Sequence, residues 1–381
     1  MMGTREKTLA SAHTLVVKVG SAVLTTSDGL HLSVMYSLVE QIARLVRQGR
    51  RVCLVSSGAV AAGRTALPDR GRSVEGLSGR QALAAIGQGC LMREYEHAFA
   101  AQGLLCAQVL LTRDDLRSRP RFLNARNTFM NLLDWGVVPI VNENDTVAVQ
   151  ELKFGDNDQL ASLLLNLVEG ELYINLTSAD GVLAANPESA KPGEVIPHLD
   201  SIEHIADLDI ESLCGAKTSV GTGGMRSKLM AARRAAQLGV PTLILPGRRA
   251  DILDRAFAGE RVGTWIAPAT QAVSRRKYWM AYQSEPQGSV FVDEGAAVAL
   301  EEKGGSLLPG GVIGVEGVFE PGALVRVVCG EHAVGVGLTN YSSEELDRIK
   351  GLKRVEVAAA LGNAHYPEVI HRDNLLINAA V

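Results

Sequence analysis

Two kinds of segment alternate through the first 250 residues. Short, β-branched, nearly uninterrupted apolar runs span Leu15 to Val19, Arg51 to Val55, Leu104 to Leu111, Val137 to Val141, Leu172 to Leu176 and Pro241 to Leu245. Between them Ser33 to Gln48, Arg80 to Ala101, Phe122 to Trp135, Asn157 to Val168 and Met225 to Leu238 carry the helical period. Strand, helix, strand repetition requires crossover connections, and strands apolar along their whole length need both sheet faces covered. The reading is an α/β domain: a largely parallel sheet sandwiched by helices. After about Trp265 the pattern gives way to brief glycine-punctuated strands in SVFVDEGAAVAL, GGVIGVEGVF, ALVRVVCG and AVGVGL, with few helical runs, as in a smaller β-rich domain. The boundary falls within Gln271 to Gln287, which gives domains over 1–270 and 285–361 and a tail over 362–381.

Charge excludes some partners. The chain holds 38 basic and 42 acidic side chains, a net of -4. Residues 285–361 hold six basic and twelve acidic ones, a net of -6, leaving +2 for the rest. Docking on RNA phosphates needs a basic surface, so no RNA partner is expected of the C-terminal domain. The five cysteines, Cys53, Cys90, Cys106, Cys214 and Cys329, are odd in number and lie mostly in apolar runs, which predicts buried reduced thiols rather than bridges or a zinc site. Met1 to Ser11 lack an apolar signal core, and no run reaches the ~18 apolar residues of a membrane span. A cytoplasmic protein without membrane contact is expected.

In an open parallel sheet, ligands bind beyond the carboxyl ends of the strands, so the chemistry is sought in the residues that follow each run. Lys18, Gly20 and Ser21 follow the first, Ser56, Ser57 and Gly58 the second, NENDTVA from Asn142 the fourth, and Thr177 and Ser178 the fifth. Lys18 interrupts LVVKVG, where a buried ammonium costs several kcal/mol unless an anion accompanies it; a phosphate would, and a lysine snorkelling from an edge strand is the alternative. GTGGMRSK, Gly221 to Lys228, leads small residues into a helix start, so backbone N–H groups, the positive helix end and Lys228 face one spot. Asn142, Glu143, Asn144 and Asp145, then Gly155, Asp156, Asn157 and Asp158, offer acceptors for an ammonium and donors for a carboxylate, the needs of an amino-acid ligand. Asp156 as an N-cap and Asp158 as a helix-dipole partner are the simpler alternatives. The stretch RDDLRSRPR from Arg113 reads as a solvated loop.

Taken together, VVKVGSAVL, VSSGAVAAGR, RFLNARNT, VVPIVNENDTVA, FGDND, GTGGMRSK, DEGAAVAL, GGSLLPGG and the HRD at His371 resemble the glutamate 5-kinase family, an amino acid kinase domain followed by a PUA domain. The resemblance covers nearly the whole chain. It implies transfer of the γ-phosphoryl of ATP to the side-chain carboxylate of L-glutamate, the first step of proline biosynthesis. It places Ser57, Asp145 and Asn157 on glutamate, with Asp145 facing the α-ammonium. Lys18 and Lys228 would straddle the phosphates and Asp158 would position the two lysines. The ATP site would take Lys18, Thr177, Ser178 and the run Thr222, Gly223, Gly224, Met225, Arg226, Ser227 and Lys228. Mg2+ would bridge ATP oxygens rather than occupy a protein cage. A homo-oligomer, dimer or tetramer, and handover of product to glutamyl phosphate reductase are implied as well. Against RNA-binding proteins with a PUA domain stands the charge of -6; acetylglutamate and uridylate kinases lack the NEND and GDND runs and the PUA tail. The chain departs from the family pattern at Ser178 and, in Leu183 to Pro187, at Asn186. Both lie at the nucleoside end of the ATP site, so weaker nucleoside contact is expected there.

Overall fold

A computed structural model describes residues 4–27, 29–67, 74, 76–147, 157–183, 195–199, 224–270, 272–283, 286–361 and 366–377. The chain divides into two units, 1–272 and 273–381, each built around its own apolar core.

In the first unit the apolar runs become β1 (Thr14–Val19), β2 (Arg51–Ser56), β3 (Cys106–Leu111), β4 (Val138–Glu143), β5 (Leu172–Thr177) and β7 (Thr242–Pro246). Two short strands of the same sheet escape the periodicity, β6 (His198–Leu199) and β8 (Thr264–Ile266). They complete one eight-stranded sheet ordered β3-β4-β2-β1-β5-β7-β8-β6, parallel throughout except for the β7–β8 pair. Strands too short to show a period are legible only once a neighbour supplies their hydrogen bonds.

Side chains alternate across a strand, and that alternation decides where the chemistry lies. Leu15, Val17 and Val19 of β1 with Leu172, Ile174 and Leu176 of β5 enter the core shared with two helices, α1 (Leu32–Arg47) and α3 (Gly76–Ala101). Helix α1 meets it with Met35, Leu38, Val39, Ile42 and Leu45, a spacing of three and four residues. Lys18 and Asn175, out of step with those residues, lie opposite each other in the parallel register of β1 and β5 and face the other layer. That layer holds α5 (Asn157–Leu167) and α6 (Met225–Gln237). Between α1 and α3 in the chain comes α2 (Ala59–Ala66), which α3 crosses in close contact. A methyl group on Gly87 would lie 1.7 Å from the Ala59 carbonyl oxygen, and one on Gly63 would lie 2.0 Å from that of Leu83. Only glycine permits this approach, which seats the following residue, Gln88, against β4.

The run from Arg113 is helical rather than a loop. Thr112 and Asp115 close a capping box at the start of Arg113–Arg117, and α4 (Arg119–Asp134) follows at once. Reading the charges alone hid the cap.

The second unit carries a five-stranded sheet of β9 (Gly288–Val292), β10 (Val312–Gly317), β11 (Leu324–Cys329), β12 (His332–Leu338) and β13 (Leu375–Ile377), ordered β10-β9-β11-β12-β13. Its pairs are antiparallel apart from β9 with β11. The stretch set apart as a tail thus contributes an edge strand. Helical content exceeds the sequence expectation: DEGAAVAL begins a helix, Glu294–Lys303, because the Asp293 side chain accepts from the Ala296 N–H and caps it.

Candidate active site

The first two residues of α5 reach in different directions and tie together the carboxyl ends of four strands. Asn157 turns toward β2 and β4. Its Nδ2 donates to Ser57 Oγ at 2.8 Å, to the Ser56 carbonyl at 3.2 Å and to Asn142 Oδ1 at 2.9 Å. Asn142 in turn accepts from the Glu143 N–H at 3.0 Å and donates its own Nδ2 to Gln88 Oε1 at 2.9 Å. The turn after β2 is held from α3 by the Tyr95 hydroxyl, 2.8 Å from Ser56 Oγ, and burial pushes the Tyr95 phenol up from its ordinary pKa. Gly58, at φ 111°, closes this turn in the left-handed region that a side chain would strain.

Asp158 turns the other way, toward β1, β5 and α6, and is fully buried. Its Oδ1 lies 2.5 Å from Lys18 Nζ and accepts from Asn175 Nδ2 at 2.7 Å. Its Oδ2 accepts from Ser227 Oγ at 2.7 Å and lies 3.3 Å from Lys228 Nζ. Burial alone would raise the carboxyl pKa, but the Lys18 and Lys228 charges and the bonds from Lys18 and Ser227 outweigh it and hold Asp158 well below the carboxylate range. Two lysines, each no more than 6% exposed, therefore flank one carboxylate whose ionised form they favour. Gly20 lies against the ammonium: a methyl group there would sit in ordinary contact, 3.7 Å from Lys18 Nζ.

Beside the amide cluster lies a cleft of about 320 Å³ lined by Gln88, Glu143, Asn144 and Asp145 among others. Gln88 is 8% exposed, and its Nε2 has no hydrogen-bond partner among the described residues. Burial raises the Asp145 pKa, with Arg80 pulling it back. An unmatched donor and an acid share one cleft.

Ser57 and Asn157 are in direct contact, Asp145 lines the adjacent cleft, and Lys18, Asp158, Ser227 and Lys228 form one cluster. Gly224 stands as the N-cap of α6, with Met225 and Arg226 in its first turn, Arg226 exposed. Thr177 ends β5 buried, and Ser178 follows it exposed. Gly155, Asp156, Asn186, Thr222 and Gly223 lie outside the described residues. Sequence reading missed Gln88, Tyr95 and Asn175. Gln88 and Tyr95 sit among the apolar positions of α3, where a polar residue was itself the signal. Asn175 interrupts an apolar strand just as Lys18 does.

The sequence matches the amino acid kinase family over residues 13–246 and the PUA domain over residues 288–361. It is 64% identical to the glutamate 5-kinase of Nitratidesulfovibrio vulgaris (strain DP4), across 99% of this chain and 98% of that one. It is 55% identical to the glutamate 5-kinase of Maridesulfovibrio salexigens, with both chains covered in full. Identity to the glutamate 5-kinase of Geobacter sulfurreducens is 47%, across 98% of this chain and all of that one. End-to-end similarity at this level, on a fold whose two units coincide with the two matched domains, means that the chain belongs to the glutamate 5-kinase family.

Proposed function

We infer that this chain phosphorylates the side-chain carboxylate of L-glutamate with ATP, giving L-glutamyl 5-phosphate in the first step of proline biosynthesis. The observation that carries the mechanism is the placement of two buried ammonium groups, Lys18 and Lys228, on opposite oxygens of Asp158, next in sequence to the amide cluster at Asn157. Phosphoryl transfer asks for positioning and charge neutralisation rather than covalent chemistry. Lys18 and Lys228 straddle the phosphates and Asp158 sets their separation. The N-terminus of α6 adds backbone N–H groups at the same place. Ser57 and Asn157 hold glutamate next to the lysines. In the cleft, Asp145 receives the α-ammonium and Gln88 Nε2 offers a donor to an anionic oxygen. The attacking carboxylate is already ionised at neutral pH, so no general base is needed.

Magnesium supplies charge neutralisation on the phosphates when bound with ATP. Both Asp158 oxygens are engaged by protein donors, a donor set that fits a metal carried on nucleotide oxygens rather than caged by the protein. An ADP-release assay with L-glutamate against N-acetylglutamate, aspartate and UMP tests the reading; activity with any of the other three above that with glutamate would overturn it.

At the nucleoside end, Ser178 stands where the family carries an aspartate. Ser178→Asp is expected to tighten ATP about tenfold, the worth of a hydrogen bond to a charged acceptor, with turnover little changed. Steady-state constants for ATP and GTP check this, and identical constants in parent and variant would remove Ser178 from nucleoside contact.

Every residue assigned to glutamate or ATP lies in the first unit, and the second has its own core. A chain ending at Ala272 is therefore expected to retain phosphoryl transfer, and residues 273–381 are expected not to bind RNA. Loss of activity in a folded truncation, or salt-sensitive RNA binding by the full chain, would contradict this. The same reading includes a dimer or tetramer and direct handover to glutamyl phosphate reductase, which would shield a hydrolysable acyl phosphate. It also includes a cytoplasmic location: no helix among the described residues is long and apolar enough to cross a membrane, and Cys53, Cys90, Cys106 and Cys329 are free thiols.

A further inference from the structure

Asn175 sits in the middle of β5, a strand buried at every residue, and is itself fully buried. A primary amide in such a place costs free energy unless its groups are matched. Here the matching is incomplete. Both Nδ2 protons are used, one on Asp158 Oδ1 at 2.7 Å and one on the Tyr173 hydroxyl at 2.9 Å, while Oδ1 has no hydrogen-bond partner among the described residues. The contact with Asp158 settles the orientation of the amide, because the reverse orientation would set two oxygens against each other. The strand thus retains a residue with one unmatched acceptor, and what it gains is a bond to the carboxylate between the two lysines.

The gain is geometric. A carboxylate has about four acceptor sites, and here two cations and two neutral donors occupy them: Lys18 and Asn175 on Oδ1, Lys228 and Ser227 on Oδ2. The χ2 torsion of an aspartate is broad and nearly two-fold, so its oxygens are fixed only by what binds them. Lysine side chains are flexible and follow their partner. Ser227 rides on the first turn of α6 along with Lys228, whereas Asn175 is fastened inside the sheet beside Lys18. Of the two sheet residues on Oδ1, Lys18 is the flexible one and Asn175 the rigid one. We propose that Asn175 is a positioning residue for phosphoryl transfer: its amide anchors Asp158 to the central sheet and so fixes the separation of Lys18 and Lys228 across the transferring phosphate. Tyr173, two residues earlier on the same face, holds the second amide proton and keeps the amide in its working orientation. This rests on the reading of Lys18 and Lys228 as the phosphate-handling pair.

The experiment compares full-length Asn175→Val, Asn175→Asp and Lys228→Ala with the parent by steady-state kinetics and thermal unfolding. Valine suits a fully buried parallel strand, so Asn175→Val should keep or raise Tm. Its kcat should fall about tenfold, as for loss of a hydrogen bond to a charged group, with the KM for glutamate within about twofold of the parent. Asn175→Asp keeps the shape but turns the donor into an anion facing Asp158, and kcat should fall further. A merely structural role predicts the opposite division: a lower Tm, with kcat per folded molecule unchanged. That result, or a parental kcat in a stable Asn175→Val, overturns the proposal. If Lys228→Ala loses turnover while Asn175→Val does not, the positioning role alone falls. If Lys228→Ala keeps turnover, the phosphate-pair reading falls and the positioning role falls with it.

Discussion

Lys228→Ala is expected to lower kcat about 10²- to 10³-fold while leaving the KM for glutamate within about twofold. The ammonium is buried on the first turn of α6, 3.3 Å from Asp158 Oδ2. It therefore acts in a setting where water screens little, and negative charge on the leaving phosphate oxygens grows toward the transition state. A group whose interaction strengthens as that charge grows raises kcat more than it raises ground-state binding. The variant should still fold, because Asp158 keeps Lys18, Asn175 and Ser227 as partners and no unpaired buried charge is created. Single-turnover rates at saturating ATP check this, and an unchanged rate would remove Lys228 from the mechanism.

The second large effect is expected at Asp145. Asp145→Asn keeps the shape of the side chain and removes the charge that the proposed assignment sets against the α-ammonium, so the KM for glutamate should rise while the KM for ATP stays put. Breaking a fully buried ion pair costs about 3 to 5 kcal/mol. Asp145 is only partly buried, which points to the range of a hydrogen bond to a charged group, about 1.5 to 3 kcal/mol, or a 10- to 150-fold rise. The pH dependence follows from the same burial. Because burial holds the Asp145 pKa above its ordinary value, acidification protonates it early, and on this assignment glutamate binding is expected to weaken as pH falls through that raised pKa. In Asp145→Asn this dependence should vanish. A KM for ATP that rises in place of that for glutamate would overturn the assignment of this loop.

Much of this site was legible before any tertiary contact was known, and the reason is topological. Parallel strands joined by crossovers all end at one edge, so residues following Leu15 to Val19, Arg51 to Val55 and Val137 to Val141 had to meet there. Lys18 announced itself as a charge inside an apolar run. The same argument applied to LYINLT would have singled out Asn175, but a neutral amide breaks an apolar pattern less visibly than an ammonium. Gln88 and Tyr95 were hidden for another reason. Helical periodicity shows that both face inward on α3, yet it does not say which strand end each will meet. The resemblance to a known family implied individual roles for Ser57, Asp145 and Asn157, where the residues alone pointed only to an amino-acid ligand at these loops and left capping and the helix dipole open for Asp156 and Asp158.

The sequence by itself determined the layered architecture, the edge of the sheet where the polar groups meet and the types of group gathered there, because these follow from local periodicity and from the few ways parallel strands connect. Only the tertiary structure decided that Asp158 lies between Lys18 and Lys228 rather than serving the helix dipole alone. It alone set Asn157 on Ser57 and Asn142, and brought Gln88 to that cluster through the close crossing at Gly63 and Gly87. These contacts join residues 15 to 140 positions apart. Their distances are set by how helices seat on a sheet, through backbone approach and close packing, and a one-dimensional pattern holds no record of those separations.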